Sequence, residues 1–352
     1  MTKELQELLR TPTAWLRENA EQSELVLSSR IRLARNLEGR TFTHCADPSE
    51  LASVRSEVRY ALGEAPSMAG AIVIDMDETS EPERMVLAER RLISQEMVRN
   101  YLNRSLAVLP RETLSVMINE EDHLRLQSFA AGLSLADALS RLNALDDELD
   151  GTLEYAFSEQ FGYMTACTTN VGTGLRASAM VHLPGLVHNG DIRQVVDGLR
   201  HVKLSVRGSY GEGSEVSGNF FQISNSITLG LSEAEIVSSM ESHVRKVLEF
   251  EQKARDALLK EARSLLEDKI WRAYGVLRNA RLLSSREAMG MISYVRLGIG
   301  LGIITGVTLA DVNEMLIMIQ PMHLQFLYDK VMSPEERDRS RADYVRSKLV
   351  GR

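Results

Sequence analysis

Cysteine is almost missing from the 352-residue chain: Cys45 and Cys167 are its two thiols, and neither stands in a CxxC or CxxH spacing. That scarcity excludes a disulfide framework and a zinc knuckle, and it fits a reducing compartment. Long apolar runs are absent too. The most apolar late stretch, Leu297 to Ala310, is about fourteen residues, against roughly twenty for a bilayer-spanning helix, so no membrane span is expected. The first ten residues carry acids and lack the basic end, apolar run and small-residue cleavage site of an export signal, which points to the cytoplasm. Nor is there an excess of positive charge. With 41 basic and 49 acidic residues the net charge is -8, which disfavours a general nucleic-acid or anionic-membrane surface. Any anion site must be built locally.

What is present is the composition of a folded protein, 44% hydrophobic and 26% charged, of a length that suggests two domains at roughly 100–200 residues each. Strand-like stretches are expected at 24–33, 71–75, 114–119, 123–129, 162–167, 177–183, 202–207 and 220–224. Helical spacing runs through 83–102, 134–150 and 186–200. From Ser232, which forms a capping box with Glu235, the chain turns helical past Trp271, with later helices at 284–294, 309–319 and 334–349. The fold class is α+β: a sheet flanked by helices over 1–250, followed by an α-helical domain over 251–352. No repeat or low-complexity linker separates them, so the long helix joins them and limits their relative motion.

Four clusters carry chemistry. In Ser28-Ser29-Arg30-Ile31-Arg32-Leu33-Ala34-Arg35, strand periodicity sets Arg30 and Arg32 on one face, opposite Ile31 and Leu33. Guanidinium neighbours repel one another unless an anion lies between them, and their planar forks suit phosphate oxygens. In Asn119-Glu120-Glu121-Asp122-His123-Leu124-Arg125, adjacent carboxylates can hold a guanidinium or a metal, and Arg125 adds a phosphate contact. The run from Thr165 to Ser178 holds Cys167, small residues that let backbone approach a ligand, and Arg176, but no P-loop or dinucleotide pattern. Arg207 to Glu215 is a glycine-punctuated loop that delivers Arg207 and Glu212. Taken alone, each has a bland reading: a solvated basic face, an acidic turn, a buried thiol, a hairpin.

Together, SSRIRLAR, NEEDHLR, TACTTNVGTGLRAS and RGSYGEGSE stand in the order of the phosphagen (guanidino) kinase family, which the sequence closely resembles, in particular its bacterial protein-arginine branch. The resemblance implies a guanidino-kinase-like antiparallel sheet and ATP with Mg2+, no metal being held by the protein alone. It implies a nucleotide site drawn from Ser28, Ser29, Arg30, Ile31, Arg32, Arg91, Arg125, Arg176, Ala177, Ser178, Ala179, Met180, Arg207, Gly208, Ser209, Tyr210, Gly211 and Glu212. Glu121 and Glu212 would hold the acceptor guanidinium, with Glu121 as base and Cys167 in support. Two residues depart from the family pattern: Thr168 replaces a proline, which removes a fixed φ, and Arg91 stands where relatives carry a nucleotide-contacting histidine.

Small-molecule guanidino kinases carry a helical domain ahead of the SSR segment, whereas here 27 residues precede Ser28; the expectation is an open acceptor site that admits arginine on a protein. In the C-terminal domain Arg337-Asp338-Arg339-Ser340-Arg341-Ala342 resembles the RDxxRA phosphoarginine-docking motif, with Arg337 and Arg341 one helical turn apart. The resemblance further implies a homodimer, an McsA-like activator, marking of proteins for ClpC–ClpP and the CtsR repressor as a target. A small-molecule guanidino kinase and a non-catalytic phosphoarginine adaptor are the alternatives. The missing N-terminal domain counts against the first, and retention of both Glu121 and Glu212 against the second.

Overall fold

Ten residues of alternating chemistry, Val26–Arg35 (β1), organise the molecule, because the two faces of this strand demand different neighbours. The computed structural model describes residues 3–10, 13–16, 20–208 and 218–349. Around β1 the chain runs α1 (Lys3–Arg10), α2 (Pro48–Glu64), β2 (Ile72–Asp75), α3 (Glu81–Glu89), α4 (Gln95–Arg99), β3 (Ser105–Val108), β4 (Leu114–Ile118), β5 (Leu124–Ala131), α5 (Leu135–Asp150), β6 (Phe157–Ser158), β7 (Gly162–Tyr163), β8 (Leu175–His182), α6 (Pro184–Asn189), α7 (Ile192–His201), β9 (Leu204–Gly208) and β10 (Phe220–Asn225). Helices α8 (Glu233–Glu261), α9 (Arg263–Asn279), α10 (Ser285–Gly300), α11 (Leu309–Met318), α12 (Pro321–Leu327) and α13 (Pro334–Leu349) complete it. Eight strands pair in the order β2-β3-β4-β5-β1-β8-β10-β9, every neighbouring pair antiparallel, and β6 and β7 form a separate ribbon.

One face of the sheet presents Ile31, Leu33, Leu126, Ala177, Ala179 and Ile223 to a core completed by apolar residues of α2, α5 and α8. The other face is divided. Beneath α1, α3 and α4 lie Leu106, Val108 and Met117; at the far end Phe129, Met180 and Phe220 pack against Ile270, Met289, Ile292 and Leu316 of the C-terminal helices. Between these two apolar seals the face is cationic.

The C-terminal helices are fastened as well as packed. Arg296, 1% exposed, donates from Nη1 to the Glu24 carbonyl at 2.8 Å, from Nη2 to the Ser23 carbonyl at 2.5 Å and from Nε to Asn313 Oδ1 at 3.1 Å. Burial, with help from Arg255, holds its pKa down to about 9. Its Nη1 also lies 3.0 Å from Nδ1 of His182, which burial and the Arg296 and Arg255 charges keep neutral.

Several expected elements differ in their bounds. The helix expected over 83–102 is two, α3 and α4, broken at Arg91, whose φ of 64° no helix accommodates. The helix expected over 186–200 breaks at Gly190, φ 82°, into α6 and α7. The strand expected over 162–167 keeps two residues, β7. Helix α2 escaped the periodicity reading although its start is signalled: Asp47 accepts from Ser49 N and Glu50 N, and Pro48 opens the first turn. Strand β3 is buried on both faces and so has no alternation to read.

Arg296→Ala empties a buried site and removes the donor from the Ser23 and Glu24 carbonyls and from buried Asn313, and should cost about 3 kcal/mol of unfolding free energy. Denaturant melts of the variant beside the parent check this, and an unchanged midpoint would contradict the fastening role.

Candidate active site

The register stacks the arginines. Arg32 of β1 stands directly opposite Arg176 of β8 and Gln127 of β5; Arg30 stands opposite Ser178 and Phe129. On the same face, Met180 of β8 pairs with Gln222 of β10, which pairs with Arg207 of β9. Arg125 lies two residues before Gln127, on that face. Five arginines drawn from four strands therefore share one side of the sheet.

Arg30 donates from Nη2 to Gln222 Oε1 at 3.2 Å and from Nε to Ser178 Oγ at 3.4 Å. Burial, then the charges of Arg91, Arg125 and Arg176, hold its pKa down to about 9. Arg32 is pushed well below the ordinary range by burial and by Arg30, Arg125 and Arg176, and its buried Nε has no hydrogen-bond partner among the described residues. An unsatisfied guanidinium within a repelling cluster is the signature of an anion-binding cradle. A cavity of about 280 Å3 opens over it, lined by Arg30, Arg32, Arg91, Arg125, Glu89 and Gln320 among others.

The Asn119–Arg125 turn sorts its charges by direction. Glu120, buried, accepts from Arg125 Nη1 at 2.6 Å; burial alone would raise its pKa, but Arg125 and Ser94 bring it down to about 2. Asp122 accepts from Asn36 Nδ2 at 2.7 Å and from the Ala166 backbone at 2.6 Å, tying this turn to the Cys167 loop. His123 is structural: its Nδ1 accepts from Leu37 N at 3.1 Å, and burial lowers its pKa. That leaves Glu121 exposed and hydrogen-bonded to Cys167. Burial of one side of its carboxyl, with Asp122 and Glu120, raises its pKa against the pull of Arg125. Cys167 Sγ lies 3.0 Å from Thr169 Oγ1. A carboxylate and a thiol that meet beside a phosphate-type cradle offer one cation site facing one anion site.

Not every residue of the expected set reaches the cavity. Ser29 donates to the Gly132 carbonyl at 2.8 Å, and Ile31, Ala177 and Ala179 point into the core on the opposite face; strand alternation allows them no side-chain contact with a ligand there. Arg35, third of the β1 arginines, also turns away and pairs with Asp146 of α5 at 2.6 Å. Ser28 is buried opposite Met180, which packs beneath the C-terminal helices. Ser209, Tyr210, Gly211 and Glu212 lie outside the described residues, while Arg207 and Gly208 end β9. Arg91 reaches the cavity wall, its carbonyl accepting from Gln127 Nε2 at 3.1 Å.

Sequence reading overlooked Glu120 as the clamp of Arg125, the strand partners Gln127 and Gln222, and the wall residues Glu89 and Gln320. Counting on by two from Arg125 would have reached Gln127. Among the described residues no three His, Cys, Asp or Glu side chains gather to hold a metal. This donor set fits a magnesium ion carried by nucleotide oxygens and water.

In α13, Arg341 is 1% exposed and donates from Nε to the Ile319 carbonyl at 2.9 Å and from Nη1 to the Leu283 carbonyl at 2.7 Å. It does not face outward with Arg337, as helical spacing suggested, because those carbonyls draw it inward. Arg337 is half-buried and donates to the Met332 carbonyl at 3.0 Å.

A family profile described as ATP:guanido phosphotransferase, C-terminal catalytic domain, matches residues 53–254, and one described as protein-arginine kinase McsB C-terminal domain matches 263–351. Relatives named protein-arginine kinase are 42% identical over 339 residues in Pelotomaculum thermopropionicum (96% of this chain, 95% of the relative) and 44% over 338 in Halothermothrix orenii (95% and 96%). The chain belongs to the protein-arginine kinase family. It is a phosphotransferase of the guanidino-kinase fold. Among solved structures, lombricine kinase aligns at a TM-score of 0.58 with 26% identity over 69% of this chain and 71% of that one. The duplicated taurocyamine kinase of Schistosoma mansoni aligns at 0.61 with 25% identity, over 76% of this chain and 38% of that one.

Glu120→Gln breaks a buried pair and should cost about 3–5 kcal/mol of stability. Because the folded pKa of Glu120 is depressed from 4.5 to about 2, its contribution is present above pH 4.5 and drains away as the pH falls toward 2. Denaturant titrations of parent and variant between pH 7 and pH 2 should therefore converge on acidification.

Proposed function

We propose that the protein transfers the γ-phosphoryl group of ATP to the guanidinium of arginine side chains in proteins. The observation that carries this reading is the meeting of Glu121 and Cys167 beside a single sheet face of converging arginines. Arg30, Arg32, Arg125, Arg176 and Arg207 take the nucleotide phosphates, with Arg91 at the cavity wall. Magnesium, when bound, adds charge neutralisation on the phosphate oxygens.

The acceptor poses the chemical problem. A guanidinium whose pKa exceeds about 12 has no lone pair with which to attack phosphorus. Glu121 orients the fork and takes a proton from the attacking nitrogen as the N–P bond forms; the bond from phosphorus to the β,γ-bridging oxygen breaks, and ADP leaves with that electron pair. The raised pKa of Glu121 makes it a better proton acceptor than an ordinary surface carboxylate. Glu212 serves as the second guanidinium ligand, and Cys167 supports binding of the cation.

The wider assignment rests on family likeness: cytoplasmic location, a homodimer, an McsA-like activator, CtsR as a substrate, and a mark read by ClpC–ClpP. The catalytic domain takes residues 1–250 and the docking domain 251–352. Phosphoarginine docks at Arg337, Asp338, Arg339 and Ser340, with Arg341 as the internal anchor that shapes the motif and Ala342 packed in the core beneath it.

Incubation with ATP, magnesium and an arginine-rich protein should place acid-labile phosphate on arginine, read by mass spectrometry; phosphate confined to free arginine or to hydroxyl side chains would defeat the reading. Glu121→Gln should lower turnover by about 10²–10⁴-fold with nucleotide affinity kept, and Cys167→Ser should lower it less. The acid limb of the parent's rate profile should lie above the ordinary glutamate pKa of about 4.3, since activity needs the ionised carboxylate. Separately, Arg337→Ala should weaken phosphoarginine binding by about tenfold in calorimetry without altering ATP affinity.

A further inference from the structure

The β6–β7 ribbon and the segment leading into α8 enclose a second cavity, of about 450 Å3, on the outer side of the Cys167 loop. Four large apolar side chains stand exposed around it: Phe157 (57%), Phe161 (45%), Leu229 (51%) and Leu231 (44%). Single exposed apolar residues are ordinary, but a group gathered on one concave surface marks a binding site. The rim is acidic. Glu233 and Glu235 line the cavity, which has no lysine, arginine or histidine in its wall, and Glu159 is exposed in the turn between Phe157 and Phe161. Glu233 reaches inward toward Arg35 at 3.4 Å, whereas Glu235, its pKa lowered by the Ser232 backbone and hydroxyl, keeps a full surface charge.

The groove shares the loop at 165–174 with the acceptor corner. Tyr163 N donates to the Gly172 carbonyl at 2.8 Å, Thr173 N donates to the Thr228 carbonyl at 2.9 Å, and Thr228 Oγ1 donates to the Val171 carbonyl at 2.7 Å. The strips touch so closely that a Cβ on Gly162 would come within 2.5 Å of the Gly172 oxygen, and one on Gly172 within 2.2 Å of the Thr228 oxygen. The middle strip is the loop whose Cys167 meets Glu121. Whatever occupies the groove is therefore held at a fixed offset from the acceptor corner.

We propose that this groove docks the substrate polypeptide flanking the arginine to be phosphorylated, and that it selects extended segments mixing apolar with basic side chains. The proposal rests on the protein-arginine reading and narrows its substrate class. A segment that carries apolar side chains beside its arginine covers the exposed Phe157, Phe161, Leu229 and Leu231 while its cations face the rim. The acidic rim attracts cationic segments and repels acidic ones.

The test uses the full-length enzyme with ATP, magnesium and two acceptors: reduced, carboxamidomethylated lysozyme as an unfolded basic protein, and the tripeptide Gly-Arg-Gly. Phe161→Glu and Leu229→Glu should each raise KM for the unfolded protein by roughly tenfold, leaving KM for the tripeptide and for ATP within about twofold; Phe161→Leu should restore the parent value. The milder Phe161→Ser covers the case in which a glutamate variant fails to fold. Identical KM values for the unfolded protein in parent and variants, or an equal rise for both acceptors, would overturn the proposal. Should the parent enzyme phosphorylate neither acceptor, the protein-arginine reading itself falls and takes the groove with it; transfer to both with variants like the parent defeats the groove alone.

Discussion

Mutual repulsion among guanidinium groups on one sheet face is the constraint around which this molecule is built. Burial and the charges of Arg125 and Arg176 depress Arg30 and Arg32, while Glu120 holds Arg125 in check, and a folded chain tolerates that only where other interactions hold the strands in place. The apolar opposite face supplies them: Ile31 and Leu33 are fully buried between the strands that carry the charges. Converging cations fixed in this way form a preorganised electrostatic site that favours a polyanion.

The Asn119–Arg125 turn solves a second problem, that of keeping four ionisable neighbours from acting alike. Local geometry gives each its own task. Glu120 neutralises Arg125 from behind, Asp122 ties two loops through the Asn36 side-chain amide and the Ala166 backbone, His123 is neutral scaffolding, and Glu121 alone turns toward Cys167. Charge assignment by direction rather than by residue type explains why a stretch that reads as an acidic surface turn can hold a chemically selective corner.

Much of the fold was legible from two periodicities. Alternation in 24–33 set Arg30 and Arg32 on one face opposite Ile31 and Leu33, and the Ser232 capping box marked the start of α8. What stayed hidden depended on long-range pairing. Nothing local says that Arg176 comes opposite Arg32, that Gln222 bonds Arg30 across 192 positions, or that Arg341 is drawn inside by carbonyls 22 and 58 residues away. The break at Arg91 was missed because its left-handed φ is imposed by what surrounds it, whereas Gly190 was a helix-stop glycine passed over in the sequence.

Glu89, the last residue of α3, accepts from the backbone nitrogens of Met322 and His323 and from His323 Nδ1 at 2.7 Å, while Gln320, just upstream, lines the cavity over the arginines. The C-terminal helices thus contribute masonry to the chamber over the arginines instead of hanging beside it. Cutting the chain after α8 would not yield a trimmed but working enzyme; it would unroof the chamber and bare Phe129 and Phe220 to water. A change on α12 therefore reaches the cavity wall through the end of α3.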